Sequence, residues 1–311
     1  MPYQLYNKPY CAPRDLVTHI ENQGLTIQDK AMAESLLSDI NYYRFKIYLK
    51  PFFNQANNQF HAGTTFENGV ELYRFDDELR DILFSFIGRI EIKLRSKLDQ
   101  VVTCQTQNPF WYLDDASFAN TGAVFGLRNI LASQFQNSKD DFSTHFKQNY
   151  YNDTNPNFKQ LPPFWMIGEL TTFGNVVSLY KSIDKGIFND QPNPNKLDVL
   201  AREFGARNLK QINDWIRAIK DVRNRCAHHS RVWNANYREP SGITNMLNIA
   251  PAHPNRLYLF IALSHKITKS LGMDFDIKTL MSDLFNKYPA ASAKANSAGF
   301  PNNWETDQFW S

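Results

Sequence analysis

Cysteine is scarce in this chain. Cys11, Cys104 and Cys226 stand far apart, odd in number and without CxxC spacing. That excludes a disulfide framework and points to a reducing compartment. No stretch approaches about 18 uninterrupted apolar residues, so no membrane-spanning helix is expected. The opening MPYQLYNKPY has no apolar signal core, and the expected location is the cytoplasm. Strong charge of one sign is missing too. A net charge of +3 over 311 residues is too mild to argue for nucleic acid unless the cations form a local patch. There is no glycine-rich phosphate loop and no internal repeat, and strand signals are sparse.

What is present is a globular composition, 42% apolar and 14% aromatic, in a chain long enough for one large or two modest domains. Helical periodicity dominates. A first helix stops near Gly24 and a second starts near Asp29, with Ala33, Leu36, Leu37 and Ile40 on one face. NYYRFKIYLKPF reads as strand or helix, and residues 54–65 as a loop. The longest helix spans roughly 66–102, with Leu79, Ile82, Leu83, Phe86, Ile87, Ile90, Leu94 and Leu98 in one stripe. Further helical pieces fall near 123–135, 139–150, 164–183, 196–204, 209–227 and 254–270. NDTNPNFKQLPP and NDQPNPN are breakers, and SAKANSAGFPNN reads as weakly structured. The expected fold is all-α, a helical bundle, divided into an N-terminal helical segment (1–65), a bundle (66–275) and a C-terminal tail packed on or flanking it (276–311).

The most informative string is VRNRCAHHSRVWN, residues 222–234. With Ile219 as the reference direction at about 100° per residue, Ile212, Trp215, Ile216, Val222 and Cys226 lie within roughly 60° of it. Arg223 lies about 40° away, Asn224 about 140°, His228 about 180° and His229 about 80°. His228 therefore points away from its own core, while Asn224 and His228 form an i, i+4 pair. One copy of the helix has difficulty bringing Arg223 and His228 to one phosphate. A second copy across a two-fold axis supplies both from opposite sides, so a homodimer is expected.

Three readings compete for this knot of cations. Basic residues at a helix C-terminus face the macrodipole favourably, by a few tenths to about 1 kcal/mol, but that leaves Asn224 and the neighbouring Ser230, Arg231 and Asn234 unexplained. A metal site is the weakest reading. Cys226, His228 and His229 are too close in sequence to converge from one helix, and no second ligand pair follows at zinc spacing. The third reading is a catalytic site for a phosphate substrate. Outside the knot, Glu91 pairs either with Arg95 or with Arg223. Arg89, Lys93 and Lys97 step by four along one face, as a solvated face or as a basic track. Tyr42, Tyr43 and Arg44 are either packed or available to stack on bases.

RNRCAH, Arg223 to His228, matches the Arg-x4-His motif of HEPN-superfamily ribonucleases, with the preferred Asn directly after the Arg. RNRCAHHSRVWN resembles the Abi family of bacterial abortive-infection proteins. So do INYYRFKIYLKPF at 40–52, YRFDDELRDILFSFIGRIEIKLRSKL at 73–98 and LPPFWMIGELTTFGNVVSLY at 161–180, in the right order. Lys93 and Ser96 depart from the small apolar residues common there. The resemblance implies a HEPN-type antiparallel bundle with an N-terminal extension and inserted helices. It implies an endoribonuclease that needs neither metal nor other cofactor and acts as a toxin-like effector against phage. Its partners would be an RNA substrate, a second copy of the chain, and a regulatory RNA or antitoxin. The other reading is an RNA-binding or regulatory module without turnover.

RNA carries its own nucleophile, the 2′-OH, so the protein needs a proton acceptor and a cation for the phosphorane. Histidine suits the first task and arginine the second. The expected assignments are His228 for proton transfer, Arg223 for charge stabilisation and Asn224 for orientation. Glu91, His229, Arg231 and Asn234 are expected to support the site. Arg89, Lys93, Lys97 and Arg44 are expected to meet RNA. The products would carry a 2′,3′-cyclic phosphate and a 5′-OH.

Overall fold

A computed structural model describes residues 1–311 except Met1, Pro2, Gln4, Lys8, Asp190 and Gln191. The last two belong to the expected loop at 189–195 and lie outside the described residues. The fold is all-α, 64% helical, with one sheet of two short strands. The helices are α1 (Pro13–Asn22), α2 (Lys30–Ile40), α3 (Tyr42–Leu49), α4 (Phe66–Thr106), α5 (Thr121–Asn137), α6 (Asp141–Asn149), α7 (Phe164–Leu170), α8 (Phe173–Ser182), α9 (Lys196–Glu203), α10 (Leu209–Ala227), α11 (Leu257–Ser270), α12 (Ile277–Lys287) and α13 (Pro289–Ser292). Strands β1 (Phe53–Asn54) and β2 (Gln59–Phe60) pair antiparallel, so the expected loop at 54–65 contains a small hairpin.

The spine is α4, 41 residues long, or about 60 Å at 1.5 Å per residue. Its N-terminus is fixed by a capping box, in which Asn68 Oδ1 accepts from the Thr65 N–H at 2.9 Å. The stripe expected from sequence is buried from Leu79 to Leu98 except for the half-buried Ile82, and it extends to Val102. Eight helices pack on this rod: α3 and α7 through α13. One apolar cluster runs from Val17 to Trp310, so all three expected segments share a core. None of the described helices is long and apolar enough to cross a membrane.

Three local outcomes refine the reading. NYYRFKIYL is helix, because Asn41 at φ 67° turns the chain and its Oδ1 accepts from the Tyr43 N–H at 2.8 Å. The segment expected as one helix at 164–183 is two, α7 and α8, broken where Thr172 caps the second. At Gly168 in α7 a Cβ would meet Arg95 Cδ of α4 at 3.2 Å. Third, the tail at 292–303 is ordered by burial, contrary to the expectation of weak structure. Phe300, Trp304 and Trp310 are buried around Tyr258, with ring centroids 5.0, 6.5 and 6.0 Å from it. Spaced aromatics anchor the tail without any helical period, which is why periodicity missed it.

Candidate active site

The polar knot lies where α10 ends. Asn208 caps the start of this helix by accepting from the Gln211 N–H at 3.1 Å. Ile212, Trp215, Ile216, Ile219, Val222 and Cys226 are buried, as the helical wheel requires. The helix closes in a Schellman motif. Ser230 N–H donates to Arg225 O at 2.8 Å and His229 N–H to Cys226 O at 3.0 Å, with His229 in the left-handed region at φ 49°. His229 therefore shapes the turn. His228, the capping residue, is exposed. Burial pushes the Cys226 thiol up to about 12, which leaves it a protonated core group and not a nucleophile or ligand.

Arg223 reaches sideways to α4. Its Nε donates to Glu91 Oε1 at 3.0 Å, with the two side chains 30% and 17% exposed. Of the two readings of Glu91, the structure has the pair with Arg223. Arg95 turns instead to the carbonyl of Gly168. Burial pushes the Glu91 carboxyl up, and the charges of Arg223 and Arg95 oppose that shift. The Arg223 guanidinium also lies 5.8 Å from the ring of Phe84. Phe84 is exposed on α4, and so is Ile92 two turns on.

His228 has different neighbours. It lines a hollow of about 350 Å³ together with Asp221, Asn224, Arg225, Tyr237 and Arg238. Arg223 is not among the residues that line this hollow; it turns to Glu91 on α4 instead. Asn224 does join His228 there. Arg225 is held at 5.4 Å from the centroid of the Tyr237 ring, and the Tyr237 hydroxyl donates to Val232 O at 2.8 Å. The hollow thus offers an imidazole, an amide, a carboxylate and two guanidinium groups at one helix end.

Two anchors position the loop after α10. The first is Asp76 on α4, fully buried. Its Oδ1 accepts the backbone N–H groups of Val232 and Trp233 at 3.1 and 2.7 Å. Its Oδ2 accepts from the Tyr48 hydroxyl and from Arg80 Nη1, both at 2.7 Å. Burial pushes this carboxyl up while Arg80 and the three other donors draw it down. The second anchor is Arg44 on α3, whose guanidinium donates to the carbonyl of His229. Arg44 was expected to meet RNA; here it clasps the turn that presents His228.

The remaining expected residues divide. Arg89 stacks over Phe275 at 4.7 Å, Lys93 donates to Leu271 O at 3.3 Å, and Lys97 pairs with Glu203 at 2.9 Å. Each thus has a partner within the chain. Asn234 accepts from Arg256 Nη1 through its main-chain oxygen at 2.5 Å. Arg231 is half-buried beside it, and its carbonyl accepts from Arg225 Nη1 at 3.4 Å. Sequence reasoning missed Asp76, Arg80 and Tyr48, and also Asp221 and Arg238, and it took Arg225 only as one of the cations of the knot. For Asp221 and Arg225 a signal existed: 221, 224, 225 and 228 share one polar face of α10 at helical spacing.

The fold and this helix end define an all-helical protein with an Arg-x4-His site braced by α3 and α4. The chain belongs to the Abi-like protein family, whose model matches residues 35–234. The match takes in Arg44, Asp76, Glu91, Arg223 and His228, and family membership points to a role in abortive infection, a defence function. No match was found among curated proteins or among solved structures.

Proposed function

We propose that this protein is a HEPN-type endoribonuclease effector of abortive infection, acting without a metal ion. The observation that carries the reading is the exposed His228 closing α10 five residues after Arg223, which an ion pair with Glu91 holds in place. In this reading His228 takes the 2′-OH proton and the 2′ oxygen attacks phosphorus. The bond to the 5′ oxygen then breaks, and that oxygen leaves with a proton. Arg223 offsets the charge that builds on the non-bridging oxygens, for which a guanidinium fork is suited. Asn224 shares the hollow with His228 and orients the imidazole or the substrate.

The separation of Arg223 from the His228 hollow supports a composite site between two copies of the chain. Arg223, Phe84 and Ile92 would lie at the shared face, and each phosphate would meet the Arg of one copy and the His of the other. A second reading follows from the same hollow: Arg225 and Arg238 serve His228 within one chain. Mixing separates them. Arg223→Ala and His228→Ala proteins are each expected to be inactive, and their mixture is expected to regain cleavage. Full activity in a chain that sediments as a monomer would defeat the composite site. Undiminished activity in both folded variants would defeat the ribonuclease assignment to these residues.

A further inference from the structure

The hollow that holds His228 shares a lining residue with a second, and the second shares two with a third. Asn236 lines both the His228 hollow and a second one of about 460 Å³, which is also lined by Lys50, Arg231, His253 and Arg256. Ile47 and Lys50 line both that hollow and a third, of about 660 Å³, around Tyr43 and Lys46. The shared residues set the three hollows next to one another, from the end of α10 to α3, as a path that a strand could follow.

The chemistry changes along the path. The second hollow gathers three fixed cations and an imidazole, and no carboxylate lines it. Among the described residues Lys50, Arg231 and Arg256 form no ion pair, and Arg256 Nε has no hydrogen-bond partner. Burial holds the Arg231 guanidinium below its ordinary range, and Arg225 and Arg256 add to that against the opposing charge of Asp76. An anion seated there relieves the repulsion. The third hollow also lacks a carboxylate. Tyr43 is 78% exposed, with Lys46 Nζ 4.7 Å from its ring centroid. Gln23, Gln55 and Asn58 line the same hollow, and side-chain amides both donate and accept, as base edges require. An open aromatic face beside lysines is how single strands are held. Lys97, by contrast, is paired with the carboxylate of Glu203.

We infer that this path is the binding track for single-stranded RNA. A backbone phosphate next to the reacting one sits among Lys50, Arg231 and Arg256, and a base beyond it stacks on Tyr43. The inference rests on the ribonuclease reading for its occupant, but it is tested without turnover. The probe is a single strand of about 12 nucleotides, within the span of known single-strand sites. Its 2′-hydroxyls are methylated so that it lacks a nucleophile, and the wild-type chain is titrated by fluorescence anisotropy across a salt series. Tyr43→Ala is expected to weaken binding about tenfold, as loss of one stacked base does. Lys46→Gln with Lys50→Gln is expected to flatten the slope of log affinity against log salt by about 1.4, at about 0.7 per phosphate. All three side chains are exposed, so the fold is expected to survive.

Unchanged affinity and slope in these variants would overturn the track, as would equal binding of a duplex of the same sequence. Loss of self-association in Tyr43→Ala would also overturn it, by giving this face to a second copy. If the variants weaken binding while Arg223→Ala and His228→Ala still cleave, the track stands and the catalytic assignment fails. If cleavage needs both residues and the track variants bind like wild type, the track alone fails.

Discussion

Arg44 and His229 are 185 positions apart in the chain, and the guanidinium of the first holds the main-chain carbonyl of the second. This bond joins the Tyr-Tyr-Arg helix to the turn that presents His228. Replacing Arg44 with Ala is expected to cost about 1 kcal/mol of stability, the net value of a hydrogen bond at a half-open site. Its effect on cleavage is expected to be larger, roughly tenfold or more, because small displacements of a reacting group are costly. Arg44→Lys keeps the charge without the fork and is expected to fall between. Denaturant unfolding measured beside cleavage rate checks the pair of effects.

Asp76 is the deeper anchor. Asp76→Ala removes the acceptor of two backbone N–H groups of the loop and leaves Arg80, with its side chain 3% exposed, only the more exposed Asp77 as a partner. The expected loss is about 3–5 kcal/mol. Adding Arg80→Met removes this under-compensated buried charge, so the double variant is expected to be more stable than Asp76→Ala alone. Equilibrium unfolding of the three proteins tests this.

Glu91 holds Arg223 and is only partly buried. Glu91→Gln keeps the shape but not the charge. The expected loss of stability is about 1–2 kcal/mol, between the exposed and buried limits for an ion pair. Cleavage is expected to fall through kcat, because Arg223 loses the partner that fixes its direction. Steady-state kinetics decide this, and faster turnover in Glu91→Gln would mean that the pair only masks Arg223.

Much of this was legible beforehand. The apolar stripes of α4 and α10 follow from helical spacing alone, and α10 ends where RNRCAHH suggests. The pairing of Glu91 with Arg223 was one of two open readings, because an i, i+4 partner at Arg95 was equally close in sequence. Asp76 and Arg80 were not legible. A charged pair inside an apolar stripe looks like the stripe's polar edge until the loop at Val232 and Trp233 is seen to land on it. The anchoring of the tail by Phe300, Trp304 and Trp310 depends on Tyr258, on another helix, and has no local period to reveal it. The separation of Arg223 from His228 was legible from the wheel, because it depends only on the angle per residue.

One pH dependence follows from the core. His265 is buried against Trp310, with ring centroids 5.0 Å apart, and neither ring nitrogen has a hydrogen-bond partner among the described residues. Burial, with Lys269 adding to it, holds this imidazole below its ordinary value of 6.5. The unfolded chain therefore binds the proton more readily than the folded one. The stabilisation is whole above about pH 6.5 and is lost as pH falls through the depressed folded value. Between about pH 7 and about pH 5, His265→Phe is expected to lose less stability than wild type, as measured by denaturant midpoints.

The central claim concerns bond chemistry at His228 and Arg223, and the ends of the cut RNA test it most directly. Purified wild-type protein in EDTA is incubated with single-stranded RNA, and the termini of the fragments are determined. The account predicts 2′,3′-cyclic phosphate and 5′-hydroxyl ends from wild type, and intact RNA from folded Arg223→Ala and His228→Ala proteins. Fragments ending in 3′-hydroxyl and 5′-phosphate, or the same cleavage by both variants, would contradict it.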